Sequence, residues 1–128
     1  MSKYNLDIRY GIILSKAKLT HNKLATVCKL AVDTGASFTM ISIETALSIA
    51  IDPSRAQRHI EITTANGVIF APLIKIASFE CLGVEIKELE VICHNLPPES
   101  CVEGLLGINF LQAAKITIDF SKNIISTP

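Results

Sequence analysis

Hydrophobic and polar residues alternate over short stretches of this chain, and turn-forming residues separate the stretches. In one stretch, Cys28, Leu30 and Val32 fall on one face and Lys29 falls on the other, which is the period-2 pattern of a half-buried strand. The same reasoning predicts strands over residues 10–19, 23–32, 60–64, 68–70, 73–79, 84–93 and 104–107, and a closing hairpin of 115–120 with 123–127. Short strands with evenly spaced turn signals predict an all-β barrel or sandwich.

Two short helical segments interrupt these strands. Between residues 43 and 50, apolar residues recur at helical spacing. Ser42 is a suitable N-cap, and Glu44 lies in the first turn, where negative charge is favoured. Asp52-Pro53 ends this helix, and residues 109–114 predict one further helical turn.

The charge balance bears on the kind of partner. The chain has 12 Lys and Arg residues and 12 Asp and Glu residues, so its net charge is zero. Proteins that bind nucleic acid need a basic excess or a basic patch, and the sequence displays no such patch. Nucleic acid is therefore not an expected partner.

The chain has 128 residues, 49% of them apolar, so we expect a single domain over residues 1–128.

The mean hydropathy of +0.42 raises the question of a membrane segment. A spanning helix needs about 20 consecutive apolar residues, and the longest apolar stretch, residues 68–74, is far shorter and contains Pro72. Residues 1–5 lack the apolar core of a signal peptide. The sequence therefore predicts a soluble, cytoplasmic protein without a membrane partner.

Four cysteines occur at positions 28, 81, 93 and 101. Their spacing matches no zinc-binding pattern, and a disulfide framework is typical of smaller secreted chains. We therefore expect them to be buried small hydrophobic residues, with no metal site.

The segment with candidate chemistry is residues 30–37, Leu-Ala-Val-Asp-Thr-Gly-Ala-Ser. An apolar strand followed by Asp33-Thr34-Gly35 presents a carboxylate on a glycine turn, as an aspartic protease requires. Thr34 can donate a hydrogen bond that fixes the loop. Gly35 allows backbone angles that other residues resist and lets a substrate backbone approach. The same triplet also occurs by chance in ordinary turns.

Two further segments strengthen this hypothesis. Thr64-Ala65-Asn66-Gly67 lies at the tip predicted for a hairpin, because Asn-Gly between two β runs is the strongest short hairpin signal. Residues 104–111 read Gly-Leu-Leu-Gly-Ile-Asn-Phe-Leu. With these three motifs in this order, the sequence resembles the retropepsin-like aspartic proteases, and the small bacterial members in particular. The resemblance implies a closed β-barrel fold with one or two short helices and an active site formed by a homodimer.

The resemblance also implies roles for individual residues. Asp33 matches the catalytic aspartate. Thr34 matches the threonine whose hydroxyl locks the two active-site loops across the dimer, and Gly35 matches the glycine whose carbonyl meets the substrate. Substrate-binding positions include the two residues after Gly35, the tip of a flap that closes over bound peptide and the strand behind the Asp33 loop. These positions are Ala36, Ser37, Ala65, Asn66, Gly67, Leu105 and Leu106.

The chain departs from the retroviral branch of that family. Ser37 and Phe38 stand where retroviral enzymes have two acidic residues, and Ile108 stands where they have an arginine. In retroviral enzymes one of these acidic residues and the arginine form an ion pair at the dimer contact. Both partners are replaced here, so no charge is left unpaired. The chain also continues past Phe120, so we expect the additional hairpin to change the dimer interface. Asp119 lacks a following glycine turn, and we interpret it as a hairpin residue and not as a second catalytic acid.

The leading hypothesis is an aspartic endopeptidase that hydrolyses polypeptides with water activated by two Asp33 carboxylates. Such chemistry requires no metal and no cofactor. One alternative is a catalytically silent module of the same fold that serves dimerisation or peptide binding. A second alternative is a protease dedicated to a single partner protein.

Overall fold

A computed structural model describes the backbone of residues 1–128 and every side chain except that of Thr64. The strands are β1 Lys3–Asn5, β2 Asp7–Arg9, β3 Ile12–His21, β4 Leu24–Val32, β5 Thr39–Ile41, β6 Arg58–Thr64, β7 Gly67–Cys81, β8 Val84–Cys93, β9 Gly104–Leu106, β10 Thr117–Asp119 and β11 Ile124–Ser126. The helices are α1 Ile43–Ser48 and α2 Ile108–Ala113, with a 3₁₀ turn at Pro53–Arg55. The predicted all-β class with short helices is confirmed.

The strands form two sheets. The larger has the order β2-β3-β4-β9-β5-β8-β7-β6, and β3 also pairs with β7. The smaller has the order β1-β11-β10, so both ends of the chain meet in one three-stranded sheet. The predicted C-terminal hairpin is confirmed as the antiparallel pair β10–β11.

Strand β9 positions the candidate site, because it lies between β4 and β5, the two strands on either side of the Asp33 loop. It runs parallel to β4, with Val32 opposite Leu106, and antiparallel to β5, with Leu105 opposite Met40. A Cβ built on Gly104 would lie 2.0 Å from the Met40 carbonyl oxygen. Glycine at this position therefore allows the close approach of β9 to β5.

Most predicted elements are confirmed, and one prediction is corrected. Helix α1 begins after Ser42, whose side chain accepts a hydrogen bond from the Thr45 N–H at 3.1 Å. Strand β8 has the predicted bounds. Strand β7, however, is continuous through Pro72, where the sequence predicted two separate strands. Pro72 lies opposite His59 in the β6–β7 ladder. It lies outside the β7–β8 ladder, whose first pair is Leu73 with Ile92, so it interrupts no bond between β7 and β8.

Strands β1, β2 and β5 were not predicted. Each has three residues, which is too short for an alternation pattern to be recognised. All residues of β1 and β2 are exposed, and all residues of β5 are buried. Their pairing with neighbouring strands, and not their own sequence, makes them strands.

The main core is aliphatic, with one aromatic contact. The rings of Phe79 and Phe110 pack with their centroids 5.4 Å apart, and both side chains are fully buried. This contact joins α2 to the large sheet. No helix among the described residues is long and apolar enough to cross a bilayer.

Three of the four cysteines are buried, as predicted, whereas Cys101 is exposed. Burial raises the pKa of Cys28 from its ordinary value of 9.0 to about 12, and the charge of Glu103 adds to the effect. Burial raises the pKa of Cys93 to about 12 and also raises that of Cys81, against an opposing hydrogen bond from Ser15. Buried thiols with raised pKa values are unreactive.

We expect the protein to lose stability in alkaline solution. The thiols of Cys28 and Cys93 ionise near pH 9.0 in the unfolded chain and near pH 12 in the folded protein. Their stabilisation is therefore complete below about pH 9 and is lost as the pH rises toward 12. Urea unfolding at about pH 8 and about pH 10.5 measures the loss. The Cys28→Ala/Cys93→Ala protein should lose less stability over this interval, and equal losses in both proteins would contradict the prediction.

Candidate active site

Asp33 lies directly after the last residue of β4, where the chain leaves the sheet. Its N–H donates to the Leu106 carbonyl at 3.0 Å, which continues the β4–β9 pairing by one bond. Its Oδ1 accepts a hydrogen bond from the Gly35 N–H at 2.8 Å, and its carbonyl accepts one from the Ala36 N–H at 3.2 Å. The half-buried carboxylate is therefore held in a tight turn at the end of the strand.

Gly35 is required for space and not for an unusual backbone angle, which corrects the reason given from the sequence. Its φ lies outside the left-handed region that favours glycine. A Cβ built on Gly35 would lie 3.2 Å from Oδ1 of Asp33, which is closer than ordinary van der Waals contact. A side chain at this position would therefore press on the carboxylate.

The loop after Asp33 is anchored to the start of α2. The Ile108 N–H donates to the Ala36 carbonyl at 2.7 Å, and the Gly107 N–H donates to Oγ1 of Thr39 at 3.1 Å. A Cβ built on Gly107 would lie 2.5 Å from the Phe38 carbonyl oxygen, so glycine is required for this approach. The motif at residues 104–111 thus supports the Asp33 loop from behind.

Asn109 is a supporting residue to which the sequence assigned no role. Its Oδ1 accepts hydrogen bonds from the N–H and the hydroxyl of Thr39, at 2.8 and 2.9 Å, and from the Phe110 N–H at 2.9 Å. Its Nδ2 donates to the Glu90 carbonyl at 2.6 Å. It therefore joins β5, α2 and β8. The available signal was one amide side chain within the apolar segment 104–111.

An apolar cavity of about 400 Å³ lies beside Asp33. Aliphatic side chains from β3, from β4, from the loop before β9 and from β9 itself form much of its wall: Ile12, Ile13, Val32, Leu96, Val102 and Leu105. The exposed Cys101 also lines it. Asp33 is the one carboxylate among the described lining residues.

The residues predicted to bind substrate occupy different surroundings. Leu105 lines the Asp33 cavity, whereas the side chain of Leu106 is fully buried in the core and its carbonyl contacts Asp33. Ala36 is half-buried and Ser37 is exposed; neither is among the described residues that line the cavity. Leu106 can therefore act on substrate only through the position that it gives to Asp33.

The predicted flap hairpin is formed by β6 and β7. Thr64 pairs with Gly67, so Ala65 and Asn66 form the turn, and all three tip residues after Thr64 are exposed. Gly67 has a φ of +118°, in the region that favours glycine. The tip residues are not among the described residues that line the Asp33 cavity.

Thr34 points the other way, toward the C-terminal part of the chain. It is exposed and borders a groove of about 350 Å³ whose wall includes Ile108, Leu111, Ile116 and Ile118. This groove is separate from the Asp33 cavity, because the two have no lining residue in common. Thr34 and Asp33 thus border two different depressions on either side of one turn.

Asp119 occupies the hairpin position predicted for it. Its Oδ1 accepts hydrogen bonds from the Ser121 hydroxyl at 2.5 Å and from the Lys122 N–H at 3.0 Å, within the turn between β10 and β11. The bond from Ser121 is the main cause that lowers the pKa of Asp119. Among the described residues, no group of three or more His, Cys, Asp or Glu side chains is arranged to hold a metal ion.

Comparisons with known proteins agree with this geometry. The family model described as "gag-polyprotein putative aspartyl protease" matches residues 20–113. A solved structure of a retropepsin-like aspartic protease from Rickettsia conorii superimposes with a TM-score of 0.74 at 25% sequence identity, over 97% of this chain and 88% of that chain. No curated protein matches the sequence significantly.

The matched region includes β4, the Asp33 loop, the hairpin and α2, whereas Ile12 and Ile13 of the cavity wall precede it. The structural match extends this agreement to nearly the whole chain. The chain therefore belongs to the gag-polyprotein aspartyl protease family and has the retropepsin-like fold.

Proposed function

We propose that this protein is an aspartic endopeptidase that hydrolyses peptide bonds with a water activated by two Asp33 residues, one from each chain of a homodimer. The observation that carries the proposal is the position of Asp33. Its backbone N–H donates to the Leu106 carbonyl at the end of β4, and its carboxylate accepts from the Gly35 N–H beside an apolar cavity. A fixed acid beside a cavity that can hold a side chain is what peptide hydrolysis requires.

Two carboxylates about 3 Å apart cannot both ionise, so the pair shares one proton. The ionised carboxylate accepts a proton from water, which attacks the peptide carbonyl. The protonated carboxylate donates to the developing tetrahedral oxygen, and a proton later reaches the leaving nitrogen. We propose that Leu105 contacts the bound peptide from the Asp33 cavity. The flap tip at Ala65, Asn66 and Gly67 contacts it from the opposite side.

The experiment is to incubate the protein with peptides from a digested, denatured proteome over a range of pH, and to sequence the new termini. Wild-type protein should generate fragments, and the Asp33→Asn protein should generate none. Fragments from both proteins would show that the activity belongs to another group or a contaminant. Peptide binding without fragments from either protein would favour a catalytically silent binding module.

The proposal requires a dimer, because the chain contains a single Asp-Thr-Gly segment. The apolar groove beside Thr34 supports a symmetric contact near Asp33, since the groove is open and Thr34 is exposed. We expect the protein to have twice the mass of one chain in light scattering at concentrations where it is active. Activity that remains proportional to protein concentration while scattering reports only monomer would contradict the shared site.

The flap proposal predicts that Gly67→Val will impair activity far more than stability. A Cβ at this position meets no atom within 4 Å, but φ of +118° is strained for a β-branched residue. The strain falls on the tip of an exposed hairpin, whose β7 arm also exposes Val68 and Phe70. We expect kcat/KM to fall by more than about tenfold with a change in stability of about 1 kcal/mol. Unchanged turnover would show that the hairpin is not a lid.

A further inference from the structure

The basic residues are distributed unevenly along the chain. Between Ile8 and Val32 there are five Lys and Arg residues and no Asp or Glu, although the whole chain has zero net charge. This range, residues 8–32, includes both long strands of the β3–β4 hairpin. In sequence the lysines are dispersed over more than ten positions, so the sequence alone displays no basic patch.

The strand register brings three of these lysines together. Lys16 on β3 lies directly opposite Lys29 on β4, and the next pair on the same face is Lys18 with Val27. Directly opposite residues of an antiparallel pair project from the same face of the sheet, about 5 Å apart at Cβ. All three lysines are exposed, and the Val27 side chain between them is 61% exposed. We call Lys16, Lys18, Lys29 and Val27 the basic strip.

Like charges placed directly opposite each other destabilise a sheet. None of the ion pairs among the described residues includes a lysine of the strip. The nearby acids are engaged or lie to one side. Asp7 pairs with Arg9 at 3.2 Å, and Glu103 accepts a hydrogen bond from the backbone N–H of Lys29. The uncompensated positive charge is therefore centred on Lys16 and Lys29.

Glu80 modifies the charge at the other end of the strip. It lies opposite Lys18 on the neighbouring strand β7, with Glu85 opposite it in turn. A ligand with several negative charges would thus be repelled from the β7 side and attracted to the β3–β4 side. The positive charge of the strip therefore increases from the β7 side toward the β3–β4 hairpin.

The surface at the strip is concave. One depression of about 330 Å³ is lined by Lys16, Lys29 and the Asp7–Arg9 pair. Another of about 240 Å³ is lined by Lys16, Lys18 and Val27, with Glu80 on its β7 side. Two adjacent depressions of this size accommodate the side chains of an extended polypeptide, whereas a flat bilayer would not fill them. Three lysines also fall short of the broad basic surface that nucleic acid binding requires.

We infer that the basic strip is a docking surface for an extended, acidic segment of a partner polypeptide. Carboxylates at every second position of such a segment fall on one face and meet the lysines, while the residues between them point away from the strip. This binding goes beyond the proposed function, because it requires no peptide hydrolysis and uses residues outside the Asp33 cavity.

The experiment measures binding of a fluorescein-labelled octapeptide of alternating Glu and Val to the Asp33→Asn protein by fluorescence anisotropy. Asp33→Asn removes cleavage from the measurement, so failure of the proposed peptidase activity would not affect it. We expect binding in about 10 mM salt, where the Debye length is about 30 Å, and loss of binding in about 1 M salt. A matching Gln-Val octapeptide should not bind.

Two variants with the same change in net charge locate the site. Lys16→Gln/Lys29→Gln should weaken binding at least about fivefold, since it removes the two lysines on which the positive charge is centred. Lys75→Gln/Lys87→Gln removes two lysines from the neighbouring strands β7 and β8 and should leave binding within about twofold. Equal weakening in both variants would overturn the proposal. Stronger binding of phosphatidylserine vesicles or of duplex DNA than of the Glu-Val peptide, lost in the first variant, would also overturn it.

Discussion

Mixing wild-type chains with Asp33→Asn chains is expected to lower peptidase activity as the square of the wild-type fraction. If one active site needs Asp33 from both chains, a mixed dimer is as inactive as a dimer of two variant chains. At equal proportions about a quarter of the activity should remain, and the pure variant should be reduced by about 10²–10⁴-fold or more. The measurement is cleavage of a quenched fluorescent peptide after the chains are mixed in denaturant and refolded together.

A linear decrease, with about half of the activity left at equal proportions, would show that each chain acts alone. Asp119→Asn chains provide the matched control, because the same carboxylate is replaced by the same amide. Asp119 accepts its hydrogen bonds from Ser121 and Lys122 within its own turn. Its replacement should therefore leave the activity of mixtures near that of the wild type.

Of the substitutions considered, replacing Asn109 by alanine is expected to cause the largest loss in the free energy of unfolding. The substitution removes four hydrogen bonds and leaves the N–H and hydroxyl of Thr39 without their acceptor. Thr39 is fully buried, so these groups cannot find water in compensation. We expect a loss of about 3–5 kcal/mol in urea unfolding, together with loss of peptidase activity, because the Asp33 loop rests on this network.

Asn109→Asp separates the two halves of this network. The aspartate retains an oxygen that can accept from Thr39 and Phe110 but loses the amide that donates to the Glu90 carbonyl. Its stability should lie between those of wild type and Asn109→Ala. An alanine variant as stable as wild type would show that the network does not support the fold.

Local patterns in the sequence predicted the elements whose cause is local. Helix α1 follows from apolar spacing and the Ser42 cap, and β8 follows from alternation over ten residues. The hairpin at Asn66-Gly67 follows from turn chemistry, although the turn itself is formed by Ala65 and Asn66. The triplet at Asp33, the hairpin motif at residues 64–67 and the later apolar motif, in this order, indicated the family. The assignment of individual residues to substrate binding remains a prediction.

What the tertiary structure alone decided comes from contacts between residues distant in sequence. Strand β9 enters between β4 and β5 some seventy residues after Asp33, which explains why Gly104 and Gly107 must lack side chains. The same long-range pairing makes β5 a strand although its three residues show no pattern of their own. The register of the β3–β4 hairpin, in turn, places Lys16 opposite Lys29. Periodicity and turn chemistry act over a few residues, whereas close approach, buried hydrogen bonds and charge density depend on which segments the fold brings together.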